Sequence, residues 1–193
     1  MSIITDHLVR LAMGQYYYPV NLDKEEYLYS HDYGSGLKLM EHSYIGNDFV
    51  ATVEQLLTSG NSWQKTRIVW AGDYMDDGLF VDDTSVNLHG YAHDHFDKIS
   101  PKFENLSIGG YLVNHTKKEF VDKSKLSGEI HPLPLLTCSG NGRGGGDYHG
   151  SDEECVGSWA GDVISIEKED LKLFIFKKND YKEIKPHFVE EDR

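Results

Sequence analysis

Cysteine is nearly absent from this chain: there are two, Cys138 and Cys155, in 193 residues. That excludes the disulfide framework on which small secreted domains depend. Long apolar runs are also missing, since stretches such as Leu171 to Phe176 fall well short of the roughly 20 residues a membrane span needs. No basic-then-apolar leader opens the sequence, so the expected location is a reducing cytoplasm. The glycosylation triplets at Asn105 and Asn114 then carry no chemical consequence. Cations are the third shortage. Lys and Arg number 19 against 32 Asp and Glu, a formal charge of −13 with a pI near 5.1, which argues against a general binder of phosphate backbones.

What is present is enough for one core: 39% hydrophobic residues, with 12 Tyr, 8 Phe and 3 Trp. Residues 1–12 carry Ile4, Leu8 and Leu11 at helical spacing and read as an N-terminal extension, ahead of one domain over 13–193. Aromatic and β-favouring runs predict strands at Tyr16 to Val20 and Tyr27 to Tyr29, with another at Leu37 to Glu41. Asn47 or Asp48 caps a helix in which Val50, Val53, Leu56 and Leu57 share a face, stopped by Gly60-Asn61. Further strands are expected at Arg67 to Trp70, Ile108 to Val113, Lys117 to Lys123, Val163 to Ile166 and Leu171 to Phe176. The fold class is therefore α+β, a single domain built on an antiparallel or mixed sheet with a few helices and long acidic loops.

The acidic charge is concentrated. Asp73 to Asp97 holds seven Asp and no Lys or Arg, and Asp147 to Asp170 holds eight acids against Lys168, so each segment carries −7 and the rest of the chain +1. Three readings compete: solvated loops that serve solubility, a metal site, or a surface shaped for a basic groove on another protein. Duplex DNA carries about one negative charge per 1.7 Å of its axis, so clustered carboxylates compete for the same groove by occlusion. On this reading Asp73, Asp76, Asp77, Asp82, Asp83, Asp147, Asp152, Glu153 and Glu154 supply attraction, and Arg143 fixes register.

The metal reading leans on His89, His93 and His95. In a helix His89 and His93 share a face at i, i+4, although Gly90 weakens that helix. A calcium loop starting at Asp73 fails, because its twelfth position is Thr84. Gly140, Gly142 and Gly145 match G-x-G-x-x-G formally, yet Asp147 to Cys155 opens no credible helix and would set carboxylates against a pyrophosphate. Arg143 in that loop either grips an anion or neutralises nearby acids. No catalytic residue is assigned: there is no G-x-S-x-G elbow, Cys138 reads as a buried small residue, and Glu153 and Glu154 disfavour a thiolate at Cys155. Tyr16, Tyr17, Tyr18, Tyr27, Tyr29 and Tyr33 read as a stacking platform for bases or as core and interface residues. Trp70-Ala71-Gly72-Asp73 recurs as Trp159-Ala160-Gly161-Asp162. That echo is either a repeated strand-edge turn with Trp inward and Gly at positive φ, or a device that pairs Asp73 with Asp162.

Several segments carry a resemblance: Met13 to Tyr17, Val20 to Lys24, Gly36 to Glu41, Val113 to Glu119, Gly140 to Asp147 and Gly157 to Asp162. From about residue 13 to the end, the chain resembles a family of proteins from gut bacteria and their mobile elements. The resemblance implies an anti-CRISPR inhibitor of an RNA-guided DNA nuclease, and it assigns no chemistry residue by residue. The expected function is thus a non-enzymatic acidic protein that needs no cofactor and binds a protein partner with a basic nucleic-acid groove. The alternative is a metal-dependent phosphoesterase or nucleotide-binding protein that uses His89, His93, His95 and the 140–147 loop, with a divalent metal as cofactor.

Overall fold

The computed structural model describes residues 15–75, 78–81, 84–104, 106, 110–140, 148–168 and 179–189. The expected N-terminal extension at 1–12 and the strand at 171–176 lie outside them. Strands in the first half are β1 (Tyr17–Asn21), β2 (Glu26–Tyr27), β3 (Thr66–Gly72), β4 (Gly78–Val81), β5 (Thr84–Val86) and β6 (Asp97–Lys98). The second half adds β7 (Tyr111–Asn114), β8 (Glu119–Asp122), β9 (Cys138–Ser139), β10 (Val163–Glu167) and β11 (Lys182–Glu183). Among the described residues four α-helices join them: α1 (Leu39–His42), α2 (Asp48–Leu57), α3 (Leu88–His95) and α4 (Pro132–Thr137). Among the described residues, nine strands form one mixed sheet in the order β11-β8-β7-β10-β3-β1-β2-β6, with β9 parallel to β3, while β4 and β5 make a separate hairpin. The α+β reading therefore holds.

Alternation along the strands sorts side chains to two faces. Ile68 and Trp70 of β3 join Leu112, Ile164 and Ile166 in the main core, which α2 and α4 cover; Val69 and Ala71 point the other way, against Tyr18, Val20 and the Leu88 and Ala92 side of α3. Each buried indole finds a polar partner, as burial requires: Trp63 donates to Glu26 at 2.6 Å, Trp70 to His42 at 2.9 Å and Trp159 to Glu119 at 2.8 Å.

Local chemistry explains the helices. The Asn47 side chain accepts from the backbone N–H groups of Phe49 and Val50, so α2 begins where its cap was expected. At Leu37 to Glu41 the expected strand is corrected to α1. There the Glu41 carboxylate reaches back to the Lys38 N–H at 3.1 Å, while Leu37 keeps only a carbonyl contact to β1. The segment read as a long acidic loop after Asp73 instead contains the β4–β5 hairpin and α3. Gly90 is tolerated in α3 because it sits in the first turn, where the Asn87 side chain takes its N–H. Both prolines of α4 occupy that helix's first turn, which needs no donor from them, and His131 caps it by accepting from the Leu133 N–H.

The repeated tetrapeptide resolves as packing. Trp70 and Trp159 are both fully buried, and Gly161 has φ +78°, but Gly72 lies outside the positive-φ region and instead leaves room for the Tyr17 ring and Gln15. Ile68 pairs with the Asp162 carbonyl, and Asp73 lies five residues farther along the strand, about 16 Å at the rise of a β-strand. Asp73 and Asp162 are not a carboxylate pair.

Candidate functional site

α3 lies across β1 and β2 and forms with them a half-open cavity of about 330 Å³. Early tyrosines wall it. Register sets this up: alternation turns Tyr18 toward α3, whereas Tyr17 turns to the main core, where its hydroxyl donates to Gln15 at 3.2 Å. Tyr33 leaves the group, donating to the Pro101 carbonyl at 3.0 Å and packing on Phe49. Tyr16, Tyr17, Tyr18, Tyr27 and Tyr29 line the cavity, Tyr17 from β1 with its ring toward the main core, and His89 and His93 stand on its helical side.

The rings pack at a tilt of 33° to one another. Tyr18 lies 4.9 Å from Tyr27 and 4.1 Å from His89, centroid to centroid, and its hydroxyl donates to the His89 carbonyl. Burial pushes the Tyr18 phenol well above its usual range, with the neighbouring Tyr27 adding to the shift. Burial, helped by His93, lowers His89 to about 4, so its imidazole is neutral at pH 7. At the sheet edge Lys98, opposite Tyr27 in the parallel β2–β6 pair, holds its ammonium 5.8 Å from the Tyr29 centroid and 3.0 Å from Asp32. A hydrogen bond from Ser100, then one from Lys98, keeps the Asp32 carboxyl below its ordinary value.

The three histidines separate. His89 and His93 line the cavity, as their i, i+4 spacing on α3 dictates, but His95 turns away and stacks on Tyr91 at 4.4 Å. His93 is 68% exposed and contacts Asp94 at 3.1 Å. Among the described residues no three His, Cys, Asp or Glu side chains come together as metal ligands.

The acidic candidates fall in several places. Asp73 follows β3, and its carboxylate accepts the Tyr16 N–H at 3.1 Å, which joins the head of the first acidic segment to the cavity rim. Asp152 accepts the His187 N–H at 2.6 Å, and Glu153 and Glu154 are exposed on the 3₁₀ turn that follows. Asp76, Asp77, Asp82, Asp83, Arg143 and Asp147 lie outside the described residues. Cys138 is fully buried, and burial pushes its thiol up to about 12; burial and then Asp152 and Glu154 raise Cys155.

Lys98 is the residue that sequence reasoning missed, because its partners Asp32 and Tyr29 lie more than sixty positions earlier. No helix among the described residues is long and apolar enough to cross a membrane. No protein family, curated protein or solved structure matches the chain.

Proposed function

We propose that this chain is a non-enzymatic acidic binding protein. It occupies the basic groove of a nucleic-acid-handling effector, an RNA-guided DNA nuclease by chemical type, and so denies that groove to DNA. The observation that carries this reading is the parallel β3–β9 pair. Ala71 sits opposite Ser139 in neighbouring strands, about 4.8 Å apart, so Asp73, two residues on, and Gly140, one residue on, stand at the same end of the sheet. Carboxylates close together along the chain, such as Asp152, Glu153 and Glu154, repel one another within the screening length of about 8 Å at physiological salt, and a cationic groove relieves that repulsion. Tyr16, 48% exposed and tied to Asp73, adds an aromatic face on which a partner's arginine stacks. RNA-guided nucleases hold nucleic acid in positively charged channels, which is the complementary surface.

The test is a competition experiment. The purified chain is titrated into a panel of guide-loaded RNA-guided DNA nucleases with a labelled target duplex, and DNA binding is followed. Loss of duplex binding to a panel member, restored when Asp76, Asp77, Asp82 and Asp83 are all replaced by Lys, is the expected result. Unimpaired DNA binding throughout the panel, or equal inhibition by the charge-reversed variant, overturns the reading.

A further inference from the structure

Among the described residues, three buried side-chain atoms are left without a hydrogen-bond partner: Oγ of Ser30, Oγ of Ser43 and Oε2 of Glu54. Two of them border the same imidazole. His131 places Nε2 3.0 Å from Oε1 of Glu54 on α2, and its Nδ1 accepts the Leu133 N–H at 3.1 Å, so Nε2 is the donor to the carboxylate. Ser43, which follows α1, is the other neighbour. Tyr44 pairs with Ile130 in an antiparallel bridge and the His131 N–H donates to the Ser43 carbonyl at 3.0 Å, which sets Ser43 directly opposite His131. Opposed side chains of an antiparallel pair share a face, with Cβ atoms about 4.5–5.5 Å apart. That face is the inner one: Ser43 and His131 are 1% and 4% exposed, against 45% for Tyr44.

The chemistry of the two atoms defines what satisfies both. Oε2 of an ionised carboxylate only accepts, whereas a serine hydroxyl donates and accepts, and burying either without a partner is strongly destabilising. A cation is disfavoured, because Lys123 lies 2.5 Å from Oε1 and already matches the charge. An anion is repelled by the carboxylate itself. An apolar guest leaves both atoms as they are. The remaining class is a small neutral molecule that both donates and accepts. We infer that Glu54, Ser43 and His131 border the site of one internal water molecule. It donates to Oε2 of Glu54, shares a hydrogen bond with the Ser43 hydroxyl, and so ties α2 to the segment that follows α1. The site stands whether or not the acidic segments dock on a partner.

A high-resolution crystal structure of the full chain tests the assignment. One ordered solvent oxygen is expected within hydrogen-bond range, about 2.5–3.0 Å, of both Oε2 of Glu54 and Oγ of Ser43. A direct bond between the two side chains, or no solvent oxygen on Oε2, overturns it. Denaturant unfolding supplies a second test. Ser43→Val removes the hydroxyl and fills the space of the water. It is expected to lower the urea midpoint at least about twice as far in the wild-type chain as in the Glu54→Leu, Lys123→Met double variant, where no carboxylate oxygen needs the water. An equal shift in the two backgrounds is what packing alone gives, and it overturns the inference.

Discussion

The Trp70 indole donates its N–H to Nε2 of His42 at 2.9 Å, and Nδ1 of the same imidazole lies 3.0 Å from the Gly36 carbonyl. An indole only donates and a carbonyl only accepts, so both contacts are satisfied by the neutral Nδ1–H tautomer alone. Two distant segments are thereby fastened: α1 closes over β3 through a ring that cannot take a second proton without losing Trp70.

Burial lowers His42 to about 4, against 6.5 in an unfolded chain. Between those values the unfolded state binds the proton and the folded state does not, so stability falls as pH drops from 6.5 toward 4. The slope is up to about 1.4 kcal/mol per pH unit for this one group. His89, lowered to about 4 for the same main reason, acts in the same window and in the same direction. Urea midpoints at about pH 7.5, 5.5 and 4.5 should decline in that order, and His42→Gln should be less stable at neutral pH but flatter in its decline. A midpoint constant down to about pH 4.5 would contradict the buried neutral imidazole.

Glu54 on α2 presents a second testable arrangement. Its Oε1 accepts from Lys123 at 2.5 Å and from His131 at 3.0 Å, all three side chains being 5% exposed or less. Burial alone would raise this carboxyl, but His131 and then Lys123 outweigh it and hold the carboxyl below its ordinary value. Its Oε2 has no partner among the described residues. Lys123→Met strands a buried anion and should cost about 3–5 kcal/mol. The double variant Glu54→Leu with Lys123→Met, which removes the ion pair whole, should recover most of that loss. Denaturant unfolding measures both, and a loss under about 1 kcal/mol in the single variant would contradict the buried-pair account.

Much of this fold is legible in the sequence wherever a local rule acts alone. Asn47 marks the start of α2, and the runs around Tyr17, Ile68 and Ile164 mark the strands that carry the two cores. Local rules fail where a partner decides. β9 and β11 are two-residue strands: β9 pairs with Trp70 and Ala71 on β3, beyond the Thr66 and Arg67 that β10 takes, and β11 pairs along β8. The prolines of α4 give no local sign of a helix, and it is the His131 cap that sets them in a first turn. The cavity was half legible. Its tyrosines cluster early in the chain and its histidines later, but their meeting depends on α3 lying across β1, and the alternation that sends Tyr17 to the other face follows from register.

The two thiols should differ little in charge state and strongly in access. Cys138, in β9 and fully buried, donates to the Leu135 carbonyl, and burial pushes its pKa up to about 12. It should label with a disulfide reagent at neutral pH only as fast as the chain unfolds. Cys155 is partly exposed but raised by burial and by Asp152 and Glu154, so it should react more slowly than a free thiol and speed up as salt screens those carboxylates. Rapid labelling of both thiols at low salt would contradict these environments.

Attraction between acidic segments and a basic groove predicts a particular kinetic signature, because long-range charge acts mainly on association. The most direct measurement is the association rate constant of the chain with guide-loaded RNA-guided DNA nucleases, recorded against ionic strength for the wild type and for the variant with Lys at Asp76, Asp77, Asp82 and Asp83. The account predicts a wild-type rate that falls steeply with salt and a variant rate that is at least about tenfold lower at low salt and nearly flat. A wild-type rate indifferent to salt, or a variant that associates as fast as the wild type, would contradict it.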